Sequence, residues 1–131
     1  MALQGLCCLD VRGDAVRGMV EQFISDSKDP ADTVAASLEL LRETYEDFAA
    51  CDEILARHAH HWNLGRLALV DRNILRLAVH EMLAGNVPHK VSISEALRLA
   101  EEFSTAESAR FINGVLDSTA RELSEDKEPQ E

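Results

Sequence analysis

The segment from Asp71 to Leu83 is apolar around most of its circumference. On a helix that turns about 100° per residue, its apolar side chains cover an arc of roughly 240°, wider than the single stripe of a surface helix. These side chains are Ile74, Leu75, Leu77, Ala78, Val79, Met82 and Leu83. The pattern predicts a central helix surrounded by other helices, with Asp71 as its N-cap and Gly85 as its stop signal.

Apolar residues recur at spacings of three and four through the first half of the chain, which is the period of an amphipathic helix. They predict a short helix from Ala2 to Leu9 and a long helix from Pro30 to about His61. Between these, Asp14 is expected to cap a helix whose apolar stripe faces inward. That stripe consists of Val16, Met19, Val20, Phe23 and Ile24.

The second half of the chain carries two further helix signals. Ser92 and Ser104 each stand three residues ahead of a glutamate, Glu95 and Glu107, which is the spacing of a capping box. No strand pattern is present. The sequence therefore predicts an all-α bundle of about five to seven helices, with one domain over residues 1–123 and a charged, disordered tail over residues 124–131.

The net charge of the chain limits the functions that can be expected of it. The chain has 24 acidic and 13 basic residues, a net charge of −11, so its overall field repels nucleic acid. Binding to RNA would need a local basic patch or a basic partner. The chain contains no run of 18 uncharged apolar residues, so no membrane span is predicted. The start at Met1 does not resemble a secretory leader, and the odd number of cysteines suits a reducing cytoplasm.

Signals for an enzyme or a metal site are weak. No glycine-rich phosphate loop, nucleophile elbow or His-Glu-x-x-His pair occurs, so we expect neither catalysis nor a cofactor. Cys51, His58 and His61 could approach one another on a helix, and cysteine and histidine are zinc ligands. Three ligands on one helix are strained, however. A solvated helix end is the favoured interpretation, and no metal is predicted.

Two side chains fall at informative positions on predicted helices. Phe111 lies at the margin of the apolar stripe of the last helix, with Gly114 one turn later and Arg110 beside it. An aromatic ring, an arginine and a small residue could stack on an unpaired base or anchor a protein, although Phe111 could also close the edge of the core. Glu81 falls inside the apolar arc and needs an internal or external partner.

Three segments together resemble the NusB transcription antitermination family. They are Val70–Leu83, Val87–Ala96 and Arg110–Asp117, and their order and spacing also fit. Ala2–Leu6 is similar to the first helix of the family. Family members commonly carry an arginine-rich segment ahead of Ala-x-Gln, whereas Met1-Ala2 stands at that position here.

The resemblance implies two packed helical subdomains and a scaffolding role. Family members pair with NusE, a small-subunit ribosomal protein, and the pair binds single-stranded boxA RNA in nascent ribosomal RNA. With NusA and NusG, it helps RNA polymerase read through terminators, and some members form homodimers. The matching positions are Gln4, Glu107, Arg110 and Phe111 for RNA binding, and Asp71, Arg72 and Glu81 for partner binding.

Two alternatives remain open from the sequence. One is a NusB-like protein–protein interaction module or homodimer that binds RNA weakly or not at all. The other is a detached helical domain of an RNA cytosine methyltransferase, because some of those enzymes carry a similar helical domain.

Overall fold

A computed structural model describes residues 1–59 and 67–127, all of them helices and their connections. The all-α prediction is confirmed, and no helix in these ranges is long and apolar enough to cross a membrane. The elements are α1 Ala2–Arg12, a 3-10 helix Gly13–Val16, α2 Arg17–Ser25, α3 Ala31–Glu46, α4 Phe48–His58, α5 Leu69–Ala84, α6 His89–Phe103 and α7 Ala106–Lys127.

The chain divides into two compact units, Met1–Phe48 and Ala49–Glu131. In the first unit, α1 packs against α2 and α3. Gly5 makes this packing close, since a Cβ atom there would lie 3.0 Å from side-chain carbons of both Val20 and Leu41. Its core is aliphatic and consists mainly of Leu6, Leu9, Ile24 and Leu41.

The predicted inward stripe of α2 is only partly correct. Ile24 is buried, but Met19 and Phe23 are 72% and 73% exposed. A 3-10 helix precedes α2, so the α-helix begins at Arg17 instead of following Asp14. The tighter 3-10 turn changes the phase of the side chains. The two exposed residues help to line an apolar groove of about 450 Å³, together with Met1, Gln4, Gly5, Cys8, Val20 and Ile24.

The prediction of one long helix to about His61 is wrong, because the chain forms two helices, α3 and α4, in this region. The amide of Asp47 donates to the carbonyls of Glu43 and Thr44, at 3.1 Å each, and ends α3. A new helix starts at Phe48. The predicted break at Asn63–Gly65 lies outside the described residues.

In the second unit, α5 is the buried central helix that the apolar arc predicts. Ile74, Leu75, Val79 and Met82 are fully buried, and α6 and α7 pack against this helix and against each other. The predicted stop is also confirmed. Gly85 has φ 73° and its amide donates to the carbonyl of Glu81 at 3.1 Å, the left-handed ending that glycine favours.

Most of the predicted caps are displaced from the real helix starts. Asp71 is not an N-cap, because α5 begins at Leu69. Ser92 lies buried inside α6, which begins right after a proline. The cap of α7 is Thr105, whose Oγ1 accepts a hydrogen bond from the amide of Ser108 at 3.0 Å. This helix runs to Lys127, four residues into the predicted tail, and residues 128–131 lie outside the described part.

Candidate functional site

The four α7 positions of interest share one helical row. Glu107, Arg110 and Gly114 are exposed and Phe111 is half-buried, at spacings of three, four and seven that align side chains on one face of a helix. The opposite face of α7 enters the core through Ile112, Val115, Leu116 and Thr119. The structure therefore brings three of the predicted RNA-binding residues together on an accessible surface.

Gly114 leaves open space on that face. A Cβ atom built there would meet no other atom within 4 Å, so the helix surface beside Phe111, here called the Phe111–Gly114 surface, is open at this position. The recess predicted there from the sequence stays a prediction. The Arg110 side chain is exposed one turn before the glycine. An aromatic edge, a cation and an open helix surface can hold a planar group such as a nucleobase.

Gln4 is exposed on α1 of the first unit. It lies at the polar edge of the apolar groove that Met19 and Phe23 line. An exposed amide can both donate and accept hydrogen bonds, which is compatible with the role that its family position implies.

Asp71 has an internal role that the sequence did not reveal. It is 5% exposed, and its two carboxylate oxygens accept hydrogen bonds from the hydroxyls of Ser104 at 2.6 Å and Ser108 at 2.7 Å. The aspartate thus ties the start of α5 to the α6–α7 connection.

The predicted partner-binding residues do not form one cluster. Arg72 is partly exposed near the start of α5, and Glu81 lies near its end. Nine residues separate them, or about 14 Å along the helix axis. Any partner that contacts both must therefore extend along α5.

Glu81 sits in an unfavourable environment for a charge. Partial burial, followed by the nearby carboxylate of Glu95, raises the pKa of the Glu81 carboxyl, although His80 and Ser92 act in the opposite direction. A cationic group from outside would relieve both the desolvation and the repulsion. The position of Glu81 was predictable from the sequence, but its neighbour Glu95 was not. Helical periodicity does not show which residues of α5 and α6 face each other.

Cys51 and His58, two of the residues considered for a metal site, form hydrogen bonds to other residues of the chain. The His58 ring lies 2.7 Å from the Ser118 hydroxyl and 3.0 Å from a carboxylate oxygen of Glu122. Arg57 donates two hydrogen bonds to the same carboxylate and, with the His58 ring, lowers the pKa of Glu122 to about 2. Cys51 is buried and donates to the carbonyl of Arg76. His61 lies outside the described residues.

A second ion pair joins α4 to α5. Arg76 donates to both carboxylate oxygens of Asp52, at 2.7 and 2.8 Å, and to Asn73 at 3.3 Å. The guanidinium side chain is only 9% exposed, so it depends on these acceptors. Both α4 contacts hold the second unit together.

Comparison with known proteins agrees with this architecture. The NusB family matches residues 1–121. The transcription antitermination protein NusB of Solibacter usitatus (strain Ellin6076) is 45% identical over 98% of this chain and 89% of its own length. The protein of the same name from Nocardioides sp. (strain ATCC BAA-499 / JS614) is 40% identical over 92% and 88%.

Solved structures show the same fold. A NusB structure from T. maritima has a TM-score of 0.83 and 31% identity, covering 92% of this chain and 86% of its own. A structure described as antitermination factors NusB and NusE in complex with dsRNA has a TM-score of 0.77 and 22% identity over 92% and 91%. The names are those of transcription factors, in agreement with the expectation that the chain is not an enzyme. Its sequence and its helices place this chain in the NusB family of transcription antitermination proteins.

Proposed function

We propose that this protein is a cytoplasmic antitermination factor that pairs with NusE and binds single-stranded boxA RNA in nascent ribosomal RNA. Together with NusA and NusG, the pair then supports read-through by RNA polymerase. Family membership supports the general role, and one solved structure of the same fold is described as NusB and NusE in complex with dsRNA. The observation that carries the RNA contact is the open helix surface at Gly114 beside the half-buried ring of Phe111.

We assign the partner contact to the partly exposed residues near the two ends of α5. The raised pKa of Glu81, caused by burial and by Glu95, marks a place where a basic side chain would be stabilised. Arg72 is the second candidate contact. Asp71 acts through the chain itself, because both of its oxygens already bind serine hydroxyls, and it shapes the α5 start that the partner meets.

A protein-binding module or homodimer without RNA is the second candidate function. The net charge of −11 favours it, since every phosphate brought to this chain must overcome that field. The two functions differ in whether the α7 face matters. In the second, changes at Phe111 leave all complexes unaltered.

The first test is assembly with purified NusE and a boxA oligonucleotide, followed by sedimentation velocity at low salt. A ternary species is expected. Phe111→Ala should weaken RNA binding by about 2 kcal/mol, or roughly 30-fold, because base stacking on an aromatic ring contributes about 1–3 kcal/mol. Phe103→Ala is the matched control, since Phe103 is 40% exposed on α6 and lies outside the α7 row.

Gly114→Ala separates binding from stability. Alanine is favoured over glycine inside a helix by about 1 kcal/mol, and no neighbouring atom opposes its Cβ atom. The variant should therefore melt at a higher temperature and yet bind the oligonucleotide more weakly, because the methyl group would keep a base from close contact with the helix surface. Unchanged RNA affinity in both α7 variants would leave the protein-binding module as the function.

A further inference from the structure

Three cations of the second unit form no ion pair with any residue in the ranges that the structure describes: Lys90, Arg98 and Arg110. Arg57, Arg76 and Arg121, in contrast, each form an ion pair with an aspartate or glutamate. In a chain of net charge −11, an anion can bind at the three unpaired cations without breaking an ion pair of the described residues.

Two of these cations line a single groove between α6 and α7. The groove has a volume of about 590 Å³ and is open to solvent. Its walls are Lys90, Ile93, Ser94, Leu97, Arg98 and Glu101 from α6, and Asn113 and Asp117 from α7. Lys90 and Arg98 are eight residues apart, which places them about 12 Å from each other along α6.

The groove continues directly from the α7 face described above. Asn113 follows Arg110 by three residues and Asp117 follows Asn113 by four, so these side chains lie on adjacent rows of one helix. Arg110 therefore stands between the Phe111–Gly114 surface and the groove. A strand that leaves this surface can reach Lys90 and Arg98 without crossing the core.

The acidic residues of the groove define its limits. Asp117 accepts a hydrogen bond from Arg121 at 2.6 Å, so its charge is offset. Glu101 lies three residues beyond Arg98 on α6 and also lines the groove, so its carboxylate would repel a phosphate placed beside it. Ser94 and Asn113 supply the donors and acceptors that can bind base edges or the 2′-hydroxyl.

We propose that the α6–α7 groove is a second RNA subsite, in which Lys90 and Arg98 bind two phosphates of the strand whose base contacts the Phe111–Gly114 surface. The subsite rests on the proposed RNA function and extends it. It gives this acidic chain two unpaired cations on one unit to which phosphates can bind.

The test measures boxA oligonucleotide binding by the NusE complex over a range of salt concentrations. Each phosphate contact to a single strand contributes about −0.7 to the slope of log K against log salt. Lys90→Gln with Arg98→Gln should make that slope less negative by about 1.4 and weaken binding roughly 25-fold at about 0.1 M salt. Glu101→Gln should strengthen binding, because it removes a repulsive charge.

Lys28→Gln with Arg12→Gln is the charge-matched control, since both residues are exposed in the first unit and the net charge changes equally. An unchanged slope in the groove variant, or an equal change in the control, overturns the subsite. Weakened binding to NusE without RNA also overturns it, because the groove would then contact protein. If the unaltered chain forms no ternary complex at all, the proposed function fails as well, so the two failures are distinguishable.

Discussion

Glu81 carries an unfavourable charge at a position that we propose contacts a partner. Burial and Glu95 raise the pKa of its carboxyl, so the folded chain holds this proton to a higher pH than the unfolded chain does. The free energy of unfolding therefore falls as pH rises from the ordinary glutamate range through the raised pKa. This loss of stability occurs at a position where we expect the chain to contact a partner.

We expect opposite effects of Glu81→Gln on stability and on binding. At pH 7 the variant should melt at a higher temperature than the unaltered chain, because the unfavourable charge is gone, whereas at pH 4 the two should coincide. Its affinity for NusE should fall by about 2 kcal/mol, or roughly 30-fold, since a cation would lose its carboxylate. Melting curves at the two pH values and titration calorimetry measure both effects, and Glu95→Gln tests the source of the repulsion.

Contacts between helices, and not only apolar burial, fix the second unit. The Arg76 guanidinium is almost wholly buried and bound by both oxygens of Asp52. Asp52→Ala should lower the free energy of unfolding by about 3 kcal/mol, because it leaves a buried charge without its acceptor. Arg121→Ala, which breaks an exposed pair, should cost less than about 0.5 kcal/mol. Urea denaturation of both variants checks the difference, and equal losses would contradict it.

The sequence predicted helices better than it predicted their ends and their neighbours. The full apolar arc from Ile74 to Leu83 identifies the central helix, because only a surrounded helix tolerates that much apolar surface. Asp71, Ser92 and Ser104 all have the chemistry of caps, yet tertiary contacts use Asp71 and Ser104 to bind each other. Sequence spacing alone cannot choose between a local and a long-range acceptor.

The candidate site, too, was only partly predictable from the sequence. The row from Glu107 to Gly114 is readable from the sequence, because all of its members lie on one helix. The sequence does not show which cations form ion pairs, because Arg57 and Arg76 pair with carboxylates on other helices. Whether Lys90 and Arg98 are neutralised thus depends on packing, and only the structure distinguishes them from the paired arginines.

The charge of the whole chain predicts how it assembles. A net charge of −11 should repel free RNA and attract a basic protein. We expect no complex with a boxA oligonucleotide alone at about 0.15 M salt, where the Debye length is about 8 Å. Association with NusE should slow at least about tenfold between roughly 0.05 and 0.5 M salt. Stopped-flow mixing measures these rates, and a salt-independent rate would show that the overall charge does not guide the encounter.

The Thr105 cap has an effect that reaches beyond the first turn of α7. The hydrogen bond from the Ser108 amide to Thr105 Oγ1 keeps that turn wound, and Glu107 and Arg110 follow directly. A frayed turn would have to be rewound whenever RNA binds, and that ordering cost is subtracted from the affinity. Thr105→Ala weakens a helix start by about 1 kcal/mol, so under the proposed function it should lower RNA affinity about fivefold without removing any residue of the Phe111–Gly114 surface. A single hydroxyl group would then set part of the binding energy before any ligand arrives.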